Sequence, residues 1–512
     1  MKTKVLVIGG GATGTGVARD LALRGIPCVL VEKGDIDSGA SGRNHGLLHS
    51  GARYVYSDPV SAAECKEEGT ILKRIAPHII EDTGGIYAAV KGDDPTFIED
   101  FQEMCDKCGI SAERLTVEEA LALEPNLSKD TIAAYKVEDA SIDPFRLSIE
   151  NMSDAKNNGA KFLTGYELKS FKIENKKIVS ATVQTKGGKT EDIEPEIVIN
   201  ATGSWAVMIT RMAGIDIDMV FSKGSLIVTQ TRLSNMVLNR LRIPDDSDII
   251  VPGGTVSIIG TTSERIDSPD EAYPRVEEVD KIVDEAAKLI PVLKKSRLIR
   301  VYSGVRPLIK TENAGSDRMI GRSFSVVDHE GTVGNFITIT GGKLTTFRLM
   351  AEKAVDLACK KLGINKKCTT MDMPLPDSPT AKFIKPGYSA KQWLLNNDVN
   401  DPLLCECEMV SKSVVDSLIE TLEDHAGDSY LVAMGLRSRA TKGPCQGMFC
   451  SLRILSYMYD KGVFKGDEGL SDLKLLLNER WKGLHPLLWD QAMVQAELME
   501  ALHCGFLGTE LE

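Results

Sequence analysis

Val5-Leu6-Val7-Ile8-Gly9-Gly10-Gly11-Ala12-Thr13-Gly14 opens the chain, and Val29-Leu30-Val31-Glu32 follows about one helix later. An apolar run that enters a glycine-rich turn and then a helix is the start of a β-α-β nucleotide-binding unit. The glycines let the backbone approach a pyrophosphate, the helix N-terminus attracts its charge, and Glu32 ends the next strand where ribose hydroxyls are taken. The acid falls near the expected offset of about 20 residues. A tight turn without a ligand is the alternative, and it leaves Glu32 unexplained. Gly25 is placed to stop the helix.

A chain of 512 residues is too long for one ordinary core, so about two to four domains are expected. Apolar content of 42% and charged content of 26% read as soluble and globular. Gly, Asp or Lys interrupts each long apolar stretch well before the roughly 18 to 20 residues a bilayer span needs, so no transmembrane helix is expected. Met1-Lys2-Thr3-Lys4 runs directly into the first strand without the apolar centre of an export signal, which predicts a cytoplasmic location. A net charge of −12 argues against a nucleic-acid partner, because phosphate backbones reward clustered Lys and Arg. A local cationic pocket remains compatible with it.

The loop Ser38 to Gly51, rich in glycine, small polar residues and histidine, is built to lie against a ligand. From about 60 to 125 the pattern is mostly helical, with a capped start at Thr116-Val117-Glu118-Glu119. Short β-like runs recur from about 160 to 200, where Ile197 to Asn200 reads as a buried strand ending at Ala201-Thr202-Gly203. From 218 to 342 strands alternate with Gly-rich turns, which suits an antiparallel sheet forming half of a substrate pocket. After Gly341-Gly342-Lys343-Leu344-Thr345-Thr346 a helix runs to about Leu362, with Gly363 as its stop. Pro374, Pro376, Pro379 and Pro386 then mark a linker.

Eleven cysteines in a reducing compartment point to metal ligation or chemistry before disulfides. Seven are scattered and read as small buried hydrophobes; among them Cys105 and Cys108 form an isolated C-x-x-C in a helix-like segment, with metal or redox duty as its alternative reading. The other four form a module: Cys405-Glu406-Cys407, then, a helical stretch later, Cys445-Gln446-Gly447-Met448-Phe449-Cys450. Four soft sulfur donors from two short loops suit an iron-sulfur centre or zinc. Zinc more often uses C-x-x-C at both ends, and an attached nucleotide domain gives an electron carrier something to do, so 2Fe-2S is favoured over structural zinc or no metal.

With these residues placed, the chain resembles the catalytic A subunits of bacterial anaerobic glycerol-3-phosphate dehydrogenases, flavoproteins of the D-amino-acid-oxidase-like superfamily. The likeness rests on Gly9 to Gly14, Gly42 to Tyr54, Lys223-Gly224-Ser225, Tyr302 to Leu308, Gly341 to Thr346 and the four module cysteines. The cysteine module looks like the small helical domain of bacterioferritin-associated ferredoxin. One departure stands out: related aerobic enzymes carry a histidine after the Lys-Gly-Ser strand, where this chain has Leu226.

The resemblance implies an α/β protein: a Rossmann-like FAD-binding domain, an interleaved α+β substrate domain built on an antiparallel sheet, and a small helical iron-sulfur domain. Its expected division is FAD-binding segments about 1–60, 145–215 and 330–370, substrate-binding segments about 61–144 and 216–329, a linker 371–395, a 2Fe-2S domain 396–455 and a C-terminal helical extension 456–512. FAD, not NAD, is implied at Gly9, Gly11, Ala12, Thr13, Gly14, Glu32, Lys33, Ser41, Asn44, His45, Gly46, Leu48, Ala201, Thr202, Gly203, Gly342, Lys343, Leu344 and Thr345. A 2Fe-2S cluster is implied at Cys405, Cys407, Cys445 and Cys450. Electrons would leave to partner subunits and a membrane quinone, which could bring the chain to the inner face of the membrane.

Oxidising a secondary alcohol by flavin sends a hydride from carbon to flavin N5 while the hydroxyl proton goes to a base. His49 is the expected base, since it follows the loop beside the flavin and titrates near neutrality; ordering the loop is its alternative role. Lys343, between a Gly-Gly turn and a helix start, is placed to stabilise negative charge on the flavin or the substrate oxygen. Arg53, Arg306 and Arg322 are candidate phosphate receptors because guanidinium binds phosphate bidentately, and Tyr54 adds a hydroxyl donor. The expected substrate is glycerol 3-phosphate. A 2-hydroxy acid such as L-2-hydroxyglutarate or an amino acid is the enzymatic alternative, and a non-catalytic electron-transfer protein is the alternative of another class. The stripe Leu488, Ala492, Ala496, Met499 and Leu502 reads as a clasp onto the main body, with partner docking as the other reading.

Overall fold

The computed structural model describes residues 1–309, 323–379, 391, 393–395, 398–422, 427, 429–489 and 491–509. The opening motif folds as its sequence predicts: β1 (Lys2–Ile8), α1 (Ala12–Leu23) and β2 (Cys28–Glu32), with the two strands parallel. Gly25 takes φ +65° just past the helix end. Three more parallel strands extend the sheet: β3 (Lys161–Thr164) beside β2, β4 (Thr190–Asn200) beside β1, and β5 (Phe336–Gly341) beside β4. A parallel sheet is covered on both faces, which is why its strands are continuous apolar runs. On one face Val17 and Leu21 of α1 share a core with Met152 of the helix Pro144–Asn157 and Met350 of the helix Phe347–Leu362. On the other, Leu6 and Val29 meet Leu168, Ile178 and Val183 of an antiparallel ribbon.

The second sheet has nine strands. Its backbone is the long pair Met219–Thr229 and Leu298–Ile309, antiparallel throughout. On its other side Met219–Thr229 pairs with Val256–Gly260 and Glu264–Ile266, and the sheet continues through Ile249–Gly253, Val237–Arg240, Gly85–Val90, Thr131–Val137 and Ala112–Leu115. Only Val237–Arg240 against Gly85–Val90 runs parallel. The helix Val276–Leu289 packs Val279, Ile282 and Ala286 against Ile86, Ile250 and Ile259.

Two elements depart from the sequence reading. Residues 60–125 hold the helices Pro59–Ile75, Pro95–Lys107 and Val117–Leu123, the last with its Thr116 capping box, but Gly85–Val90 is a central strand. All six of its residues are buried, so it lacks the polar alternation that betrays a strand. The first part of the linker is also docked: Leu375 is 1% exposed, its N–H donates to the Ile75 carbonyl at 2.9 Å, and Arg19 donates to the carbonyls of Met373 and Pro374.

The cysteine module is a bundle of Lys412–Thr421, Tyr430–Ser438, Cys450–Asp460 and Glu468–Leu484. Val415, Leu431 and Ile454 share one core with Leu473, Leu476 and Leu477, so the module runs past the expected boundary at 455. Of the expected stripe along and beyond the helix Gln491–Glu500, Ala492 is buried, Leu488, Ala496 and Met499 are half-buried and Leu502 is exposed. Among the described residues no helix is long and apolar enough to cross a membrane.

Candidate flavin and substrate site

The dinucleotide turn is built from close backbone packing. Gly9 has φ +107°, and a Cβ on Gly14 would lie 1.9 Å from the Gly9 carbonyl oxygen, so α1 can begin against β1 only with glycine at that position. Gly11 caps α1 without any side-chain hydrogen bond, and no acid lies in the first turn, which leaves this helix end open to an anion. Glu32 accepts from the backbone N–H groups of Gly10 and Gly34, both at 2.7 Å, and burial raises its carboxyl above the ordinary range. Ser41 reaches the same turn, its Oγ accepting from Ala12 N–H at 2.9 Å. A glycine cradle, a helix N-terminus with no acid in its first turn and an acid at the next strand fit a dinucleotide.

The loop that follows is held at several points. Asn44 Oδ1 accepts from Gly46 N–H at 2.7 Å, Leu47–Leu48 pairs with Ala140–Ile142, and both the N–H and the hydroxyl of Ser50 donate to buried Asp139 at 2.7 Å. Tyr302 Oη donates to the Asn44 carbonyl at 2.8 Å and ties the loop to the second sheet. His49 is thereby fixed, 7% exposed, its N–H donating to Thr345 Oγ1 at 3.2 Å. Three expected residues meet here: Tyr54 Oη lies 3.3 Å from His49 Nε2, and Lys343 Nζ lies 4.6 Å from the Tyr54 ring centre. His45 stands edge-on to His49 at 6.0 Å between ring centres.

The arginines fall into separate networks. Arg306 projects from Leu298–Ile309 and donates to the Thr262 carbonyl at 3.0 Å and to Ser222 Oγ at 3.3 Å, with Thr261 Oγ1 also in contact. Gly224 makes this possible, since a Cβ there would lie 2.3 Å from Arg306 Nη2. Arg53 is buried and pairs through Nη2 with Asp248 Oδ2 at 2.8 Å, leaving Nη1 without a hydrogen-bond partner. Arg322 lies outside the described residues. Lys223 is enclosed by Glu264 and Glu278, each at 2.9 Å, and Leu226 is 1% exposed.

The four module cysteines converge. Cys405 neighbours Cys450, Cys450 neighbours Cys445 and Cys445 neighbours Cys407, all four as free thiols. The Cys450 contact, with the Gly447 and Phe449 N–H groups, lowers the Cys445 thiol to about 5, whereas burial raises Cys407 to about 11. Four neighbouring free thiols from two loops are a fitting donor set for a thiolate-ligated centre. The other cysteines are dispersed, with Cys105 buried in its helix. A cavity of 1920 Å³ opens between this module and the flavin loop, lined by Lys33, Asn44, His45, Gly46, Cys407 and Arg480 among others.

Sequence reasoning missed the residues that support this arrangement. Tyr302 begins the Tyr302 to Leu308 motif and was therefore visible, but Asp139 and the docking residues of the module carry no local signal.

The family model for FAD dependent oxidoreductases matches residues 4–357. The chain belongs to this family. Over its whole length it is also similar to the A subunits of anaerobic glycerol-3-phosphate dehydrogenases. That of Escherichia coli K12 is 41% identical over 99% of this chain and 97% of its own. That of Haemophilus influenzae is 39% identical and the A1 subunit of Haloferax volcanii 38% identical, both over 99% of this chain, covering 94% and 91% of theirs. The glycerol-3-phosphate dehydrogenase of Bacillus halodurans, solved with FAD, superposes with a TM-score of 0.67 at 22% identity over 96% of this chain and 97% of that one. It establishes the fold: the parallel sheet and the nine-stranded sheet belong to the same architecture.

Proposed function

We propose that this chain oxidises sn-glycerol 3-phosphate to dihydroxyacetone phosphate as the catalytic component of a membrane-directed electron-transfer assembly. The full-length likeness to the A subunits carries this reading, because it spans the cysteine module as well as the oxidoreductase body. Bound FAD supplies a two-electron acceptor for the substrate hydride, and a 2Fe-2S cluster at Cys405, Cys407, Cys445 and Cys450 supplies a one-electron outlet.

The chain's own residues do the rest. His49 takes the substrate hydroxyl proton at Nε2, the nitrogen that faces Tyr54 Oη. Lys343 brings a cation to the same place and stabilises negative charge as it develops. Arg306, with the free edge of Arg53 and with Arg322, receives the phosphate. Glu32, the Gly9 to Gly14 turn and the Ser41 to Leu48 loop hold the dinucleotide. Partner proteins accept the electrons and pass them to a quinone; membrane association comes through them.

Anoxic mixing of the holoprotein with a substrate panel tests the assignment. Glycerol 3-phosphate should bleach the flavin rapidly and L-2-hydroxyglutarate should not; the reverse result overturns the substrate. If no small molecule bleaches bound flavin, an electron-transfer role replaces the dehydrogenase reading. Iron, sulfide and zinc contents decide the metal.

A further inference from the structure

Arg480 lies on Glu468–Leu484, the helix that joins the cysteine module to the oxidoreductase body. Its Leu473, Leu476 and Leu477 belong to the module core, while a Cβ on Gly483 would lie 2.6 Å from the Val301 carbonyl oxygen of the strand Leu298–Ile309. Arg480 is held at this seam. Nη2 donates to Thr441 Oγ1 at 2.5 Å and Nη1 to Gln446 Oε1 at 3.4 Å, both on the loop that carries Cys445 and Cys450.

The guanidinium is 9% exposed, its Nε has no hydrogen-bond partner, and both of its bonds go to neutral oxygens. Arg300, on Leu298–Ile309, reaches the same helix at Gly483; the residue is half-buried, its Nε has no hydrogen-bond partner and its guanidinium lies 6.0 Å from the Tyr302 ring centre. Arginine keeps its charge at any working pH. Arg300, Arg480, Glu479 and Cys407 line one cavity, and among the described residues neither guanidinium is bonded to a carboxylate, so the pair is unfavourable unless an anion completes the site. The Arg480 partner Gln446 directly follows Cys445, so the guanidinium stands against the loop that carries the sulfurs. A thiolate-ligated cluster carries net negative charge that increases on reduction.

We propose that Arg480, backed by Arg300, is the counter-charge of the iron-sulfur cluster and holds its reduction potential high enough to draw electrons from reduced flavin. The inference rests on the 2Fe-2S reading above. Each transfer moves one electron from reduced flavin to the cluster and then to the acceptor protein. Arg480 offsets that electron's charge, takes up no proton, and no bond to it forms or breaks.

Redox titration of the anoxically reconstituted full chain, followed by electron paramagnetic resonance of the reduced cluster, tests this. Arg480→Gln should lower the cluster potential and leave the flavin potential unmoved, while Arg480→Lys, which keeps the charge, should stay close to wild type. A full-iron Arg480→Gln protein that titrates at the wild-type potential overturns the proposal alone. Wild-type protein without iron and sulfide overturns the cluster reading and the proposal with it. If Arg480→Gln assembles no cluster, Arg300→Gln, which does not touch the cysteine loop, should show a smaller shift of the same sign; no shift there is equally decisive against the idea.

Discussion

Arg437 and Asp35, 402 residues apart in sequence, form a bidentate ion pair at 2.9 and 2.6 Å with side chains 2% and 4% exposed. Asp35 lies three residues beyond Glu32 in the dinucleotide loop, and Arg437 ends the second helix of the cysteine module. Arg439 adds a contact to Asp143 at 3.4 Å, and Lys442 Nζ lies 3.1 Å from the Phe145 ring centre. The module is therefore seated on the flavin-binding body through fixed charges.

Replacing Arg437 with Gln breaks a buried ion pair by removing one member, a change that typically costs about 3–5 kcal/mol. The expected outcome is a loosened module, with slower cluster reduction and unchanged flavin bleaching by substrate. Stopped-flow at the two chromophores separates these steps. Equal slowing of both would rule out a docking role.

His49→Ala should slow flavin reduction by about 10²–10⁴-fold with little change in substrate affinity, the usual worth of a positioned general base. Single-turnover bleaching against substrate concentration yields both quantities. A fall in affinity at constant rate would reassign His49 to loop ordering.

Arg306→Ala should weaken glycerol 3-phosphate binding by roughly 1.5–3 kcal/mol, the worth of a charged hydrogen bond. Gly224→Ala should act the same way with the arginine itself unmutated, because the new Cβ would stand 2.3 Å from Arg306 Nη2 and displace it. Titration of bleaching with substrate measures both, and an unaltered Gly224→Ala protein would remove Arg306 from phosphate recognition.

Gly14→Ala should yield folded protein without flavin or no folded protein, since its Cβ would overlap the Gly9 carbonyl. Flavin released on denaturation, per mole of chain, is the measurement. Full occupancy would move the dinucleotide elsewhere.

His329 is 7% exposed, bonded through Nε2 to Thr338 Oγ1 at 2.9 Å and stacked on Phe336, and burial lowers its pKa. A depressed folded value means the neutral ring is favoured by the fold. The stability it contributes is complete above the unfolded value of about 6.5 and is lost as pH falls from there through the folded value. Urea unfolding at successive pH values should show this loss in wild type and a smaller one in His329→Gln.

The nucleotide turn was legible because each of its demands is local. Gly14 must clear Gly9, a helix must start at once, and Glu32 must end the next strand. The same holds for Thr116 at its capping box, Gly363 as a helix stop with φ +67°, and the cysteine spacing, where two short loops dictate which donors can meet. Gly85–Val90 was not legible, because a strand buried on both faces shows no alternation.

By itself the sequence determined the dinucleotide unit, the cysteine spacing and the family likeness, since each rests on short motifs whose residues are close along the chain. Only the tertiary structure decided that His49, Tyr54 and Lys343 meet, that Arg53 spends one edge on Asp248, and that Arg437 seats the module on Asp35. The reason is physical: a charge chooses its partner by what burial brings within a few ångströms, and burial is settled by the packing of whole sheets and helices rather than by spacing along the chain.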